Sequence, residues 1–488
     1  MKRLLIIVFT LMVLSVSAQT PQEEYEAWKR QAQGSYSQYR QKIIDDYQTF
    51  RKKANEEYAE FVKSAWASVG KRPAIKPPEE PKPIQPPVAP EKKPLPEVIP
   101  HEEVAPTPTP KPVPDVPIPE PSTTPIENTM QVTYYGTTMN VHTPQGQMLA
   151  LKNLDGETLS KAWMRFSDGS FDALLADCLK AKKQLGLGDW GYITLLEMVT
   201  KKVASKQNEA VLLLQWLLTQ SGYHARMAKS GNGVLQIWMP FDVIVFNLPY
   251  IELDDTMYFL ITENDQNDNE LQVMDKAFPG ENIPNLRVVG NPKLDYKACG
   301  RKTLSSKGYT SFSLKSEVNR NLIDYYNDYP KIAGSWDVYA STSLSEEAKQ
   351  LLYPKLRDLL ENKNELEKAE RLLNLVQTAF EYKTDEEQFG DERSLFADES
   401  LYYPFCDCED RSILFSILIH DLLDLDVVLL HFPGHLATAV KFNSIVKGDY
   451  LDLDDGRYVI CDPTYINAPV GLAMPECKDQ KVRVFLLK

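Results

Sequence analysis

The sequence lacks an excess of positive charge. Lys and Arg number 54 against 68 Asp and Glu, so the net charge is -14. A chain with this net negative charge is not broadly attracted to phosphate backbones or anionic lipid, and we expect no nucleic-acid partner. At 488 residues the chain is long enough for two or three domains, each with its own core.

A long apolar run is also lacking. Met1-Lys2-Arg3, an apolar run of 13 residues at 4–16 and the small residues Ser17-Ala18 are typical of a secretory signal peptide at 1–18, cleaved before about Gln19. The run is shorter than the ~20 residues of a spanning helix, so no transmembrane span is predicted in the mature chain. No Cys follows the cleavage site, which argues against a lipid anchor; an uncleaved anchor is the alternative. The predicted location is secreted or periplasmic, where the six cysteines meet an oxidising environment.

Residues 21–70 carry an 11-residue repeat. Spacings of 3, 4 and 4 residues place its columns on one helical stripe, and a period of 11 favours a slight right-handed supercoil. We therefore predict one long amphipathic helix, whose stripe needs another copy of itself, a neighbouring protein or the chain's own domains as partner. The columns are Tyr25, Tyr36, Tyr47, Tyr58; Trp28, Tyr39, Phe50, Phe61; and Ala32, Ile43, Ala54, Ala65.

Proline is concentrated between the helix and the rest of the chain. Residues 73–125 hold 20 of the 34 prolines. Because proline lacks the backbone donor of helices and sheets, residues 71–128 are predicted to be a semi-rigid spacer. A ligand role for peptide-recognition domains is the alternative.

The remaining chain contains an internal duplication at an offset of 200 residues. Residues 250–258 and 450–458 agree at five of nine positions, and Asn208-Glu209 aligns with Cys408-Glu409, each pair opening an apolar helix. The sequence therefore predicts two related α+β domains, at 130–325 and 330–488, each with a helix packed on an antiparallel sheet. The alternative is an unrelated α+β domain at 130–325.

Three chemically reactive residues lie in the second copy. Cys408 begins the predicted helix, where the helix dipole and unpaired amides stabilise a thiolate and can bind an oxyanion. His435 heads one strand and Asp462 ends another. A thiolate nucleophile needs an imidazole to take its proton, and the imidazole needs a carboxylate or amide to fix its tautomer.

These motifs, Asp407-Cys408-Glu409-Asp410-Arg411-Ser412, Pro433-Gly434-His435 and Cys461-Asp462-Pro463-Thr464, resemble the core of the transglutaminase-like superfamily. The resemblance covers roughly residues 336–488 and implies a papain-like α+β fold. It implies Cys408 as nucleophile, His435 as general base and acid, and Asp462 as its orienter, in acyl transfer from protein or peptide amides. Hydrolysis is favoured over crosslinking by family analogy. No metal or cofactor is predicted.

Several features depart from the family pattern. Cys406 is a second thiol beside the nucleophile, and acidic neighbours of Cys408 oppose its ionisation while Arg411 favours it. Tyr402 and Tyr403 are the candidate side-chain oxyanion donors. The first copy has Asn208, Leu235 and Thr262 at the triad positions, so it is predicted to be a degenerate domain that supports or positions substrate.

Other interpretations compete with the enzyme. Zinc could be bound by Cys406, Cys408, His431 and His435, but the one-residue gap between the thiols is awkward for a shared tetrahedral site. Each triad residue alone would be an ordinary core or turn residue. The acidic loop at 264–269 could bind calcium or be a solvated loop. A non-catalytic binding or scaffolding protein of the cell envelope is the alternative function.

Overall fold

The structure of the protein is a computed structural model, which describes residues 21–64, 66–77, 82, 85–90, 96–105, 111–117, 128–145, 150–262, 270–274, 276–288, 290–332 and 334–487. The predicted signal peptide at 1–18 and the acidic loop at 264–269 lie outside these residues. The chain divides into two compact units, Met1–Lys53 with Pro117–Pro119, and Ala54–Val116 with Glu120–Lys488.

The N-terminal helix α1 spans Pro21–Phe61. The prediction of a helix over 21–70 is therefore wrong at its end, because strand β1 occupies Ala67–Gly70. Within the first unit the stripe residues Tyr36, Tyr39 and Phe50 are exposed, at 68%, 64% and 44%, and Tyr47 is partly buried. Self-association or a partner helix along this stripe stays a prediction.

The last repeat of the stripe belongs to the second unit and is covered there. Tyr58 is buried, and its ring packs against Trp163 at 4.6 Å and Phe278 at 5.5 Å between centroids. Gly156 approaches the end of the helix so closely that a Cβ on it would lie 2.6 Å from the Lys63 Cα. The chain's own domain is thus the partner of this repeat, as one of the alternatives held.

The first half of the second unit contains a hairpin, four helices and a sheet. Bounds are β3 Thr129–Tyr134, β4 Thr137–His142, α2 Gly156–Phe166, α3 Asp172–Leu185, α4 Asp189–Val203, α5 Gln207–Gln220, β5 Arg226–Ser230, β6 Leu235–Met239, β7 Tyr250–Leu253, β8 Thr256–Leu260 and β9 Glu270–Val273. Helices α2 and α4 pack against the sheet's own helix, α5, which is buried along most of its length, and the hairpin packs against α3 and α4.

The second half begins with another hairpin and ends in the second sheet. Its apolar helix, α12, begins at Cys408 as predicted. Bounds are β10 Ala298–Ser305, β11 Ser313–Asn319, α6 Arg320–Asn327, α7 Asp337–Ala340, α8 Glu346–Leu360, α9 Glu365–Ala379, α10 Asp385–Phe389, α11 Ala397–Tyr402, α12 Cys408–Leu423, β12 Val427–Phe432, β13 His435–Val440, β14 Tyr450–Leu453, β15 Gly456–Cys461, a 3-10 helix Pro475–Cys477 and β16 Val482–Leu487; β2 His101–Ala105 comes from the proline-rich segment.

The two large sheets have the same topology. The first has the order β1-β9-β5-β6-β8-β7 and the second the order β2-β16-β12-β13-β15-β14. In each half a buried helix, α5 or α12, is followed by five strands, and these five strands lie side by side in the same order in both sheets. The equivalent strands β6 and β13 begin at Leu235 and His435, 200 residues apart. The strand order agrees with the internal duplication that the sequence predicts, and the protein is a mixed α+β structure.

The predicted boundary near 325–330 does not separate two independently packed bodies. The hairpin β10–β11 falls in the first predicted domain, yet Lys302 Nζ donates to the Tyr403 carbonyl and a Cβ on Gly300 would lie 2.7 Å from the Tyr402 ring. Both predicted domains belong to one compact unit.

The proline-rich segment is not a spacer in its described residues, so that prediction is wrong. It crosses both halves of the unit and makes backbone hydrogen bonds with them. Arg72 pairs with Tyr250, and Ile99 N donates to the Tyr450 carbonyl at 2.8 Å, so the segment meets the equivalent tyrosine in each copy. We call residues 66–105 the strap.

The strap covers the outer strands of both sheets. Strand β1 pairs antiparallel with β9, and β2 pairs parallel with β16. At the opposite edges of the two sheets, Arg72 forms a β-bridge with strand β7 and Val98 forms one with strand β14. Uncovered edge strands expose unpaired backbone groups to other chains, and proline-rich sequence can cover them without continuing the ladder. Proline has no backbone N–H donor, and this is why the sequence of the segment resembled that of a linker.

None of the helices in the described ranges combines the length and apolarity needed to cross a membrane.

Candidate functional site

His435 and Asp462 form a buried pair at one end of the second sheet. His435 Nε2 lies 2.9 Å from Asp462 Oδ2, and both side chains are nearly inaccessible. An ionised carboxylate can only accept, so Nε2 carries the proton of this bond. In neutral His435 this leaves Nδ1 as the proton acceptor; it is buried and has no hydrogen-bond partner among the described residues. The predicted orienting role of Asp462 has the geometry it requires.

Asp462 is itself held in place by the loop after β15. Its Oδ1 accepts from the backbone N–H groups of Thr464 at 2.9 Å and Tyr465 at 3.2 Å. Gln377 on α9 donates through Nε2 to the carbonyls of Asp462, Tyr465 and Ala468 at 2.8–3.0 Å. These bonds fix the carboxylate that faces the imidazole. Gln377 was missed from sequence because it lies 85 residues from the motif it supports.

Burial and charge act in opposite directions on His435. Burial lowers the pKa of the imidazole, but the Asp462 carboxylate and other nearby acidic groups together raise it, and the net result is a raised pKa. Glu409, the neighbour of Cys408, adds to the rise. The imidazolium form is thus stabilised, which is the form a thiolate–imidazolium pair needs.

Cys408 lies at the first residue of α12 and is buried. Its side chain belongs to an apolar cluster with Leu429, Leu436 and Phe485, and Leu436 is the strand residue next to His435. One turn further on, Ser412 Oγ donates to the Leu436 carbonyl at 2.8 Å and ties the helix to the same strand. The fold brings the helix start and the head of β13 together.

The Cys408 thiol is engaged by a carboxylate. It donates to Glu409 Oε2 at 3.0 Å, and among the described residues no hydrogen bond joins it to His435. Burial, Glu409 and Asp407 raise the pKa of the thiol well above its usual range, while Lys82 lowers it. The resting site therefore holds a neutral thiol beside an oriented imidazole.

Four carboxylates and one ammonium surround the start of α12. Lys82 of the strap lies 2.7 Å from Glu392 and 3.0 Å from Asp407, contacts Glu409, and lies 3.8 Å from Asp385. We call these four carboxylates the acidic pocket. Lys82 could not be predicted as a site residue, because it lies 326 positions from Cys408 in a stretch with no helical or strand pattern.

The charges of the acidic pocket perturb one another. Burial lowers the pKa of Lys82, but the surrounding acidic groups, Glu409 first among them, together raise it, so the net pKa is raised and the ammonium stays charged. Burial and the Glu409 carboxylate raise the pKa of Glu392 to about 7. The same two causes raise the pKa of Asp410, which lies on α12 behind the pocket, to about 8. The expected help from Arg411 is absent, because its guanidinium donates to the carbonyls of Cys406, Gln377 and Phe380.

The first copy uses the equivalent positions for backbone hydrogen bonds. The Asn208 side chain accepts from Leu235 N at 2.9 Å and donates to the Gly233 carbonyl at 2.9 Å. Thr262 Oγ1 accepts from Ile237 N at 3.1 Å. The residues aligned with Cys408 and His435 are therefore adjacent in this copy, but they carry no nucleophile or base.

The alternative sites are not formed in the described part of the chain. Cys406 donates to the Ser400 carbonyl at 3.6 Å and His431 stacks against Trp336, and the predicted zinc ligands form no cluster at ligand distance. The hydroxyl of Tyr402 accepts from Arg320 and that of Tyr403 donates to Asn327, so both are engaged elsewhere. All six cysteines are described and free: Cys178, Cys299, Cys406, Cys408, Cys461 and Cys477.

No protein-family model, no curated protein and no solved structure matches this chain. The chemistry of the site must therefore be argued from its own residues.

Proposed function

We propose that the protein is an exported, transglutaminase-like cysteine enzyme that hydrolyses protein or peptide amides through Cys408, His435 and Asp462. The observation that carries the proposal is the buried His435–Asp462 pair, whose bond leaves the Nδ1 atom unpartnered next to the helix that begins with Cys408. A core histidine with a purely structural role would be expected to use both nitrogens.

The proposed reaction follows from these roles. His435 Nδ1 takes the thiol proton, and Cys408 Sγ attacks the amide carbon; the amide N–H groups at the start of α12 stabilise the oxyanion. The C–N bond breaks as His435 protonates the leaving amine, and a thioester remains. Water then attacks the thioester and gives its proton to His435, which returns it to the sulfur as the carboxylic acid leaves. Asp462 holds the imidazole throughout.

A second candidate is a non-catalytic binding or scaffolding protein. It is favoured by the hydrogen bond from the Cys408 thiol to Glu409 and by the raised pKa of that thiol, which both oppose a nucleophile. The first copy already shows that this topology forms without a triad.

Peptide hydrolysis by the mature chain separates the two candidates. Wild type is incubated with peptide pools, with and without an added amine, and new carboxyl termini or amine adducts are identified by mass spectrometry. Products that vanish in Cys408→Ala but persist in Cys461→Ala, another buried free thiol, support the enzyme.

Thiol labelling gives an independent measurement. Under reducing, native conditions iodoacetamide should label Cys408 before the other buried cysteines, and His435→Ala should remove that preference. Equal, slow labelling of all buried thiols, together with no Cys408-dependent product, would leave the scaffold as the function.

A further inference from the structure

Lys82 reaches the acidic pocket from a segment that crosses the site. On one side the strap is held where Asn247 N donates to the Ile75 carbonyl at 3.1 Å. On the other side Ala89 N donates to the Ile466 carbonyl at 2.9 Å, and Ile466 N donates to the Pro87 carbonyl. Lys82 lies between these attachment points, with a side chain only 14% exposed. The described residues on both sides of Lys82 are thus hydrogen-bonded to the rest of the unit, and the Lys82 side chain lies among the carboxylates of the acidic pocket.

The acidic pocket has more acceptors than Lys82 can satisfy. An ammonium group has three protons, and here it faces four carboxylates. The Oδ1 atoms of Asp385 and Asp407 are buried without any hydrogen-bond partner among the described residues, and both side chains are at most 1% exposed. The Oδ2 atoms do have partners, Arg393 N for Asp385 and Lys82 for Asp407. A buried carboxylate with one unpaired oxygen is costly, so the pocket favours a cation.

One carboxylate of the acidic pocket, Glu409, also contacts the proposed nucleophile, Cys408. Glu409 contacts Lys82 through Oε1 and accepts from the Cys408 thiol through Oε2. Next to it lies a cavity of about 120 Å³, whose wall includes Lys82, Glu392 and Trp336. Trp336 also packs against the apolar cluster that contains Cys408. Lys82 thus separates an open cavity from the carboxylates beside the thiol.

We infer that the acidic pocket of Asp385, Glu392, Asp407 and Glu409 is a subsite for the ammonium group of a lysine side chain in a polypeptide substrate, and that Lys82 fills it in the resting protein. The consequence for substrate rests on the proposed function; the ammonium site itself does not. The strap must leave the pocket before a substrate lysine enters, so the resting protein is closed to substrate.

Chemical rescue tests the subsite without catalysis. The Lys82→Ala substitution removes three carbons and the ammonium, which n-propylammonium replaces; 1-propanol is the neutral control of the same length. In Lys82→Ala, propylammonium should raise the melting temperature by at least about 2 °C more than propanol does. In wild type the two compounds should act equally, because Lys82 occupies the pocket.

Equal effects of propylammonium and propanol on the folded variant would overturn the inference. Should Lys82→Ala not fold, the double variant Lys82→Ala/Glu392→Gln removes one of the charges left unpaired and is measured in the same way. Equal effects of propylammonium and propanol on this double variant would likewise overturn the inference.

The outcomes of the two proposals are separable. Rescue by propylammonium without any Cys408-dependent hydrolysis would support the ammonium subsite and contradict the proposed enzyme. Cys408-dependent hydrolysis without rescue would support the enzyme and contradict the subsite. If both hold, peptides with lysine near the cleaved amide should be turned over at least about 10-fold faster than their norleucine counterparts by Lys82→Ala.

Discussion

The two copies of the helix-and-sheet unit differ in chemistry and agree in topology. At the start of the apolar helix, the first copy has Asn208 bridging backbone groups, and the second has Cys408. The position aligned with His435 is Leu235 in the first copy. In the second copy His435 pairs with Asp462, and its Nδ1 is buried without a hydrogen-bond partner among the described residues. Because the fold forms with either set, the second set is not required for folding, which makes it the candidate for function.

The largest expected difference between the copies is in catalysis. His435→Ala should lower any Cys408-dependent hydrolysis on the order of 10³-fold, because the base and acid of both half-reactions are lost. The change Thr262→Val in the first copy, at the position aligned with Asp462, should leave the rate unchanged. Initial rates on the peptides found with wild type measure both. A similar loss in Thr262→Val would mean that the first copy takes part in the chemistry.

The contacts of the strap with the two copies should differ in strength. Lys82→Met leaves the buried carboxylates of the second copy unpaired and should lower the free energy of unfolding by about 3 kcal/mol. Arg72→Met removes a pair with Glu252 on the first copy, whose side chains are 54% and 44% exposed, and should change it by less than about 1 kcal/mol. Urea unfolding compares them, and equal losses would contradict the difference.

Asn208 and Cys408 should differ in their structural roles. Asn208→Ala leaves the Leu235 N–H without its acceptor and should destabilise the protein by about 2 kcal/mol. Cys408→Ala removes one buried sulfur and should destabilise it by about 1 kcal/mol. A greater loss for Cys408→Ala would indicate that the thiol is a structural residue.

The smallest expected effect is on the pH dependence of stability. Asp410 has its pKa raised to about 8 by burial and Glu409, and it also faces Asp385, Asp407, Lys82 and Arg411. A raised carboxyl pKa gives stability that is complete below its ordinary value near 4 and lost as pH rises to about 8. Asp410→Asn should therefore lose less stability than wild type between pH 5 and 8, because it has no carboxyl group to ionise. Parallel pH profiles would contradict this prediction.

Local patterns were enough to predict the elements that carry the proposed triad. The apolar helix predicted to open at Cys408-Glu409 is α12, and His435 heads strand β13 as predicted. The 200-residue offset predicted a repeated topology because equivalent elements have equivalent local patterns. The 11-residue repeat predicted α1 but not its end at Phe61, which is set by the packing of Tyr58 and Gly156.

The sequence by itself determined the helices α1, α5 and α12 and the order of Cys408, His435 and Asp462 along the chain, since each depends on residues close together in the chain. Only the tertiary structure decided that Lys82 lies among the carboxylates next to Cys408, and that the proline-rich segment covers the sheet edges. Proline-rich sequence has no periodicity that specifies a partner, so the packed surface alone fixes where such a segment lies.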